Sequence, residues 1–118
     1  MKIDTIPEFI GVAKKLKNIE SDLYVNIDRN YREDTFRLVF SSANQKYRES
    51  FEKIAKKKNM ATGGTAIINY SYLDKLDYPT IGLEIFGPDS NFPADEDDIN
   101  QIVNLIKDSI DDYNKKRK

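Results

Sequence analysis

The segment that decides the fold is residues 61–88, which read ATGGTAIINYSYLDKLDYPTIGLEIFGP. It holds a dense run of β-branched and aromatic residues, and turn-forming glycine or proline stands near both of its ends. This composition predicts two strands that are closed by turns. The second strand is expected to be half-buried, because Ile81, Leu83 and Ile85 alternate with Gly82 and Glu84. The first strand is apolar on both sides, which is typical of a strand in the interior of a sheet.

Two segments before this region predict a helix followed by a hairpin. Thr5 and Glu8 have the spacing of a capping box, and the apolar residues that follow recur every three or four positions, so a helix is predicted over residues 6–18. Residues 23–28 and 36–41 then alternate between apolar and polar types around a polar tip. This pattern predicts an antiparallel hairpin with one apolar face.

Two further helices complete the predicted order. The second helix carries apolar residues at helical spacing and ends at Asn59, a residue type that tolerates the left-handed conformation of a helix stop. The third begins after Pro93 and carries a long apolar stripe. The element order αββαββα predicts an α+β fold of two layers, a four-stranded antiparallel sheet with the helices packed on one face. Residues 1–118 are expected to form a single domain whose basic tail, residues 114–118, is frayed.

Composition narrows the class of protein. The 118 residues include no cysteine, so neither a disulfide framework nor a thiolate site is available. Charged residues interrupt the N-terminal apolar segment, and the sequence has no apolar run long enough to span a bilayer. We therefore expect a protein that acts in the cytoplasm and does not contact a membrane.

The residue types available for catalysis are few. The chain contains no histidine and no cysteine, the residues most often used for proton transfer and for thiol nucleophiles near neutral pH. The acidic cluster at residues 95–98 lacks the spacing of a calcium loop and stands where a helix begins, where negative charge favours the helix dipole. These observations predict a protein that is not an enzyme and that holds neither a cofactor nor a metal. The alternative is an enzyme that works with carboxylates alone.

The sequence favours a function in binding another protein. The sheet face opposite the helices is expected to present a mixture of aromatic, aliphatic and charged side chains that is typical of an interface: Tyr24, Asn26, Arg37, Val39, Ile67, Asn69, Glu84 and Phe86. The loop between the last two predicted strands is unusually apolar for a hairpin tip, and Leu73, Leu76 and Tyr78 form a second candidate contact surface. The sequence thus favours a binding protein of the inhibitor, immunity or adaptor type, encoded by a bacterium, a phage or a mobile element. Self-association through the same face is equally compatible with this pattern.

Lysine clusters support a different alternative, a nucleic-acid-binding protein. Lys14 and Lys15 end the first predicted helix, and Lys56 and Lys57 end the second, where positive charge also favours the helix dipole. If these ends met in space, they could contact phosphates while aromatic residues of the open sheet face stacked on bases. The sequence pI of about 5.5 argues against this alternative, because nucleic-acid-binding domains are usually basic.

Overall fold

The structure is a computed structural model that describes residues 1–30, 37–41, 45–60, 62, 80–86, 93 and 95–116. A short 3₁₀ turn, Pro7–Phe9, precedes the first α-helix. The strands and helices follow in this order: β1 (Lys2–Thr5), α1 (Ile10–Leu16), β2 (Tyr24–Asn30), β3 (Arg37–Ser41), α2 (Gln45–Lys57), β4 (Thr80–Phe86) and α3 (Glu96–Lys116). The fold class is α+β, as predicted, with a sheet of four strands among the described residues.

The sheet is mixed, so the prediction of a purely antiparallel sheet is wrong. Its strand order is β1-β2-β4-β3, in which β1 and β2 pair in parallel, β2 and β4 pair in parallel, and β3 pairs antiparallel with β4. The predicted hairpin of β2 and β3 does not form, because β4 lies between them. Alternation reports which face of a strand is buried, but it does not report which strand lies beside it, and this is why the pairing was missed.

The N-terminal strand β1 is a second correction. Thr5 belongs to this strand and donates its hydroxyl to the carbonyl of Ile6 at 3.2 Å, and it does not cap a helix. Ile6 occupies the N-cap position of the 3₁₀ turn, and no side chain caps the amides of this turn. The predicted helix 6–18 is therefore shorter than expected, and the residues before it extend the sheet by one strand.

One hydrophobic core lies between the helices and the sheet. Buried apolar residues of α1, α2 and α3 form a single cluster with the apolar residues of the strands, such as Val25, Leu38, Ile81, Leu83 and Ile85. Strand β4 has buried residues on both faces, since Thr80 and Glu84 are 5% and 4% exposed. The expectation that this strand is only half-buried is therefore wrong, because side chains on both of its faces are buried, as is typical of parallel pairing.

Helices α2 and α3 pack against each other in antiparallel directions. Tyr47, near the start of α2, stacks on Tyr113, near the end of α3. Lys58, just after α2, forms an ion pair with Asp108, which lies earlier in α3. The predicted stop of the second helix is confirmed: Asn59 has a φ of 58°, and the amide of Met60 donates to the carbonyl of Ala55 at 2.9 Å. Within the part of the chain that the structure describes, no helix is both long enough and apolar enough to cross a membrane.

Candidate functional site

The face of the sheet away from the helices, here called the polar face, carries two carboxylates side by side. Ile27 and Leu83 belong to the core that the helices cover, so the next residues along these strands, Asp28 and Glu84, point to the opposite side. Asp28 and Glu84 are direct register partners in the parallel pairing of β2 with β4. Neighbouring strands lie about 4.8 Å apart, so the two side chains start from adjacent backbone positions.

The two carboxylates differ sharply in their exposure. Glu84 is 4% exposed and lies on the central strand, whereas Asp28 is exposed to solvent. The backbone amide of Arg29 donates to Oδ1 of Asp28 at 2.7 Å, which orients the Asp28 carboxylate. A buried carboxyl group beside an exposed one is an arrangement in which the roles of proton donor and proton acceptor can be divided.

The position of this pair in the sheet also agrees with the general location of functional sites. Asp28 and Glu84 each stand two residues before the end of a parallel strand, that is, near its carboxyl end. In open sheets with parallel strands, ligands bind just outside the carboxyl ends. Arg37, half-buried, begins the antiparallel strand β3 at this same edge of the sheet.

A second cluster of polar side chains lies at the other end of the polar face. The hydroxyl of Tyr24 donates to Oδ2 of Asp4 across the β1–β2 pair at 2.9 Å. The ammonium of Lys2 stands 5.5 Å from the centre of the Tyr24 ring, within the range of a cation–π contact. These contacts fix one end of the polar face, while Asn26, half-buried, lies between them and Asp28 along β2.

The residues predicted for partner binding share this face but are not an open surface. Tyr24, Val39 and Glu84 are 7%, 5% and 4% exposed, so the expectation of exposed anchor residues is wrong at these positions. Arg37 is half-buried, and Phe86 is its register partner. The other candidates, Ile67, Asn69, Leu73, Leu76 and Tyr78, lie outside the described residues.

The lysine clusters lie at successive levels along α3 and not on one rim. Lys15 at the end of α1 pairs with Glu96 at the start of α3, and Lys58 after α2 pairs with Asp108 at 2.7 Å. With a rise of about 1.5 Å per residue, Glu96 and Asp108 are separated by about 18 Å along the helix. Lys14, Lys56 and Lys57 are exposed beside these pairs.

The acidic segment before α3 has a structural role. Oδ1 of Asp95 accepts a hydrogen bond from the amide of Asp98 at 3.0 Å, which is the contact of an N-cap residue. Glu96, Asp97 and Asp98 occupy the first turn, where they favour the helix dipole, as the sequence indicated. Among the described residues, no group of three or more acidic, histidine or cysteine side chains could hold a metal ion.

Comparison with known proteins places the fold. No family model matches the chain, and no curated protein is similar to it in sequence. Among solved structures, the chain is similar to the catalytic domain of CwlV, an N-acetylmuramoyl-L-alanine amidase from Bacillus (Paenibacillus) polymyxa var. colistinus, with a TM-score of 0.59 and 21% sequence identity. The alignment covers 88% of this chain and 62% of the amidase domain, so the chain spans less than two thirds of that domain.

This likeness corrects the prediction of a non-enzymatic binding protein. At 21% identity it establishes the fold alone, and that fold is the fold of a catalytic domain. The prediction excluded catalysis because histidine and cysteine are absent, but this absence still leaves carboxylates available as acid and base. The sequence reasoning named Glu84 only as a contact residue and did not single out Asp28. An acidic residue near the end of an alternating strand was the signal that could have found it.

Proposed function

We propose that the protein is a carboxylate-dependent hydrolase that cleaves an amide bond, with Asp28 and Glu84 as its catalytic residues. The observation that carries the proposal is the register pairing of an exposed Asp28 with a buried Glu84 near the carboxyl ends of two parallel strands. The similarity of the fold to an amidase catalytic domain supports the choice of an amide bond. The absence of histidine and cysteine from the chain means that the acid and the base of such a reaction would be sought among its carboxylates.

Each carboxyl group has its own role in the proposed reaction. The carboxylate of Asp28 takes a proton from a water molecule, and the oxygen of that water attacks the carbonyl carbon of the amide. The carboxylic acid of Glu84 donates its proton to the amide nitrogen as the C–N bond breaks, which releases a carboxylic acid and an amine. The proton held by Asp28 then returns to Glu84 through solvent, which restores the starting state.

The exposure of each group suits its role. Asp28 is open to solvent, so it can reach a water molecule, and the amide of Arg29 holds its carboxylate in one orientation. Glu84 lies on the central strand with 4% of its surface exposed, so its carboxyl group is shielded from bulk solvent. A substrate at the carboxyl edge of the sheet would meet Asp28 at the surface, with Glu84 beside it on the neighbouring strand.

The test is hydrolysis of N-acetylmuramoyl-L-alanine, the compound in the name of the similar amidase, with release of free L-alanine measured by mass spectrometry. Asp28→Asn and Glu84→Gln remove the acid–base function with little change in shape, and each is expected to lower kcat by about 100-fold or more. Asp111→Asn is the matched control, because Asp111 is exposed on α3, which belongs to the helix layer on the other side of the sheet. It should leave the rate unchanged.

Two results would contradict the proposal. One is the absence of L-alanine release by the unaltered protein between about pH 4 and about pH 9, a range that includes the optima typical of acid–base catalysis. The other is release that persists in Asp28→Asn and Glu84→Gln. Circular dichroism of each variant separates a lost catalytic group from a lost fold.

A further inference from the structure

A small pocket lies in the helix layer, where the end of α2 meets the middle of α3. It has a volume of about 200 Å³ and is lined by Lys58, Met60, Gln101 and Asn104. Pockets that bind drug-sized ligands measure roughly 300–1,000 Å³, so this one suits a smaller molecule. It belongs to the helix side of the sheet, whereas Asp28 and Glu84 lie on the polar face.

The turn that ends α2 builds one wall of the pocket. Asn59 adopts a left-handed conformation with a φ of 58°, and its amide donates to the carbonyl of Lys56 at 3.0 Å. The amide of Met60 donates to the carbonyl of Ala55 at 2.9 Å, and these two bonds together form a Schellman motif. The motif turns the chain back so that the half-buried side chain of Met60 packs against the hydrophobic core. The apolar part of the pocket is thus held in place by backbone hydrogen bonds.

Helix α3 supplies the polar part of the pocket. Gln101, Asn104 and Asp108 follow one another at intervals of three and four residues, so they lie along one stripe of the helix. The carboxamides of Gln101 and Asn104 are exposed at the pocket. Nζ of Lys58 reaches across from the end of α2 to Oδ2 of Asp108 at 2.7 Å. The side chains of this pair are 32% and 49% exposed, respectively.

These groups together match one class of ligand. We propose that the pocket binds a free aliphatic α-amino acid. Lys58 and the carboxamide of Asn104 take the carboxylate of the ligand, and Met60 contacts its aliphatic side chain. Asp108, which lies next to the pocket as the ion-pair partner of Lys58, takes the ammonium group of the ligand.

The ion pair between Lys58 and Asp108 does not oppose this binding. An exposed ion pair contributes little to stability, so its two partners can separate at small cost. Each partner then makes a charge-assisted hydrogen bond to the ligand group of opposite charge, and this bond replaces the ion pair that was lost. A ligand with only one charged group would leave one partner without this replacement and would bind more weakly.

The test is isothermal titration calorimetry of the full chain with three related probes. L-leucine carries both charged groups, 4-methylpentanoate lacks the ammonium group, and 3-methylbutylamine lacks the carboxylate. We expect saturable binding of L-leucine and at least tenfold weaker binding of each of the other two. The absence of saturable L-leucine binding would overturn the proposal.

Variants test the role of each residue. Lys58→Met and Asp108→Asn are each expected to weaken the binding of L-leucine at least tenfold. The control is Lys53→Met, because Lys53 forms an ion pair with Asp112 between the same two helices, with 2.8 Å between Nζ and Oδ1. This control should bind L-leucine as the unaltered protein does. Unchanged affinity in Lys58→Met, or an equal loss in Lys53→Met, would show that Lys58 does not bind the ligand.

Discussion

The rings of Tyr47 and Tyr113 stack face to face across the interface of α2 and α3, with centroids 3.6 Å apart and planes inclined by 15°. Both residues are buried, with 4% and 9% of their surfaces exposed. Because Tyr47 lies near the start of α2 and Tyr113 near the end of α3, this contact joins the helices at one end of their antiparallel pair. The ion pairs of Lys53 and Lys58 with α3 join them farther along.

The stack predicts a large loss of stability when one ring is removed. Tyr113→Ala should lower the free energy of unfolding by about 3 kcal/mol, since it empties the space of a buried aromatic side chain. Tyr113→Phe retains the ring and separates its contribution from that of the hydroxyl group. Urea denaturation monitored by circular dichroism measures both values. A Phe variant as unstable as the Ala variant would show that the hydroxyl group, and not the stacked ring, is responsible.

Gly11 offers the opposite change, a substitution that should stabilise the protein. A Cβ atom placed on this residue of α1 would stand 3.5 Å from Cγ2 of Ile99, an ordinary van der Waals distance. Gly11→Ala therefore adds an apolar contact and improves helix propensity. The expected gain in the free energy of unfolding is about 1 kcal/mol. A loss of stability in thermal denaturation would indicate that α1 cannot accept the methyl group at this distance from α3.

The left-handed residue at the end of α2 predicts a difference between two substitutions. Asn59→Gly should keep or raise the stability, because glycine adopts a φ of 58° without steric cost. Asn59→Ala should lower it by about 1 kcal/mol, since alanine brings a Cβ into the same conformation without the local hydrogen bonds that asparagine can form. Equal stability of the two variants in urea denaturation would contradict this account. The same pair of variants tests whether the Schellman motif positions Met60, because only the Ala variant should also weaken the binding of L-leucine.

Much of the fold could be predicted from local patterns. The helices, the strands β2, β3 and β4, and the stop at Asn59 each leave a signal in adjacent residues, either a period of hydrophobicity or a residue type with a special backbone conformation. Strand β1 was missed because its four residues, Lys2–Thr5, are too few for a clear alternation. The parallel pairing of β2 with β4 joins residues more than fifty positions apart, and nothing local to either strand encodes it.

The candidate sites depend on contacts between distant segments of the chain, which local sequence patterns do not encode. Asp28 and Glu84 become neighbours only because β4 lies between β2 and β3, so their pairing could not be inferred from the two strands separately. The pocket of Lys58 and Asn104 likewise exists only once the end of α2 packs against α3. Sequence patterns could indicate which residue types were available, but the packing of distant elements decides which of them meet.

Two buried serines predict another stabilising change. The hydroxyl groups of Ser50 on α2 and Ser109 on α3 are fully buried, and neither has a hydrogen-bond partner among the residues that the structure describes. A buried hydroxyl without a partner costs about 1–3 kcal/mol relative to its hydrated state. Ser109→Ala should therefore raise the free energy of unfolding by about 1 kcal/mol, part of which reflects the higher helix propensity of alanine.

A control variant separates the two contributions to the serine prediction. Asn114→Ala changes an exposed position of the same helix, so it reports the gain from helix propensity without any change in burial. Urea denaturation of both variants gives the difference. If Ser109→Ala stabilises the protein no more than Asn114→Ala does, the buried hydroxyl carries no penalty.

The pairing of Asp28 with Glu84 predicts that their contributions to catalysis are not independent. If the two carboxylates act on one substrate as base and acid, removing either one disables the same reaction step, and removing the second adds little. The double variant Asp28→Asn/Glu84→Gln should therefore have nearly the same kcat as the less active of the two single variants. Combining Asp28→Asn with Asp111→Asn provides the comparison, since Asp111 is exposed on α3 and should not change the rate in any background. Losses that multiply in the Asp28/Glu84 double variant would mean that the two register partners contribute separately, and the division of roles between acid and base would be wrong.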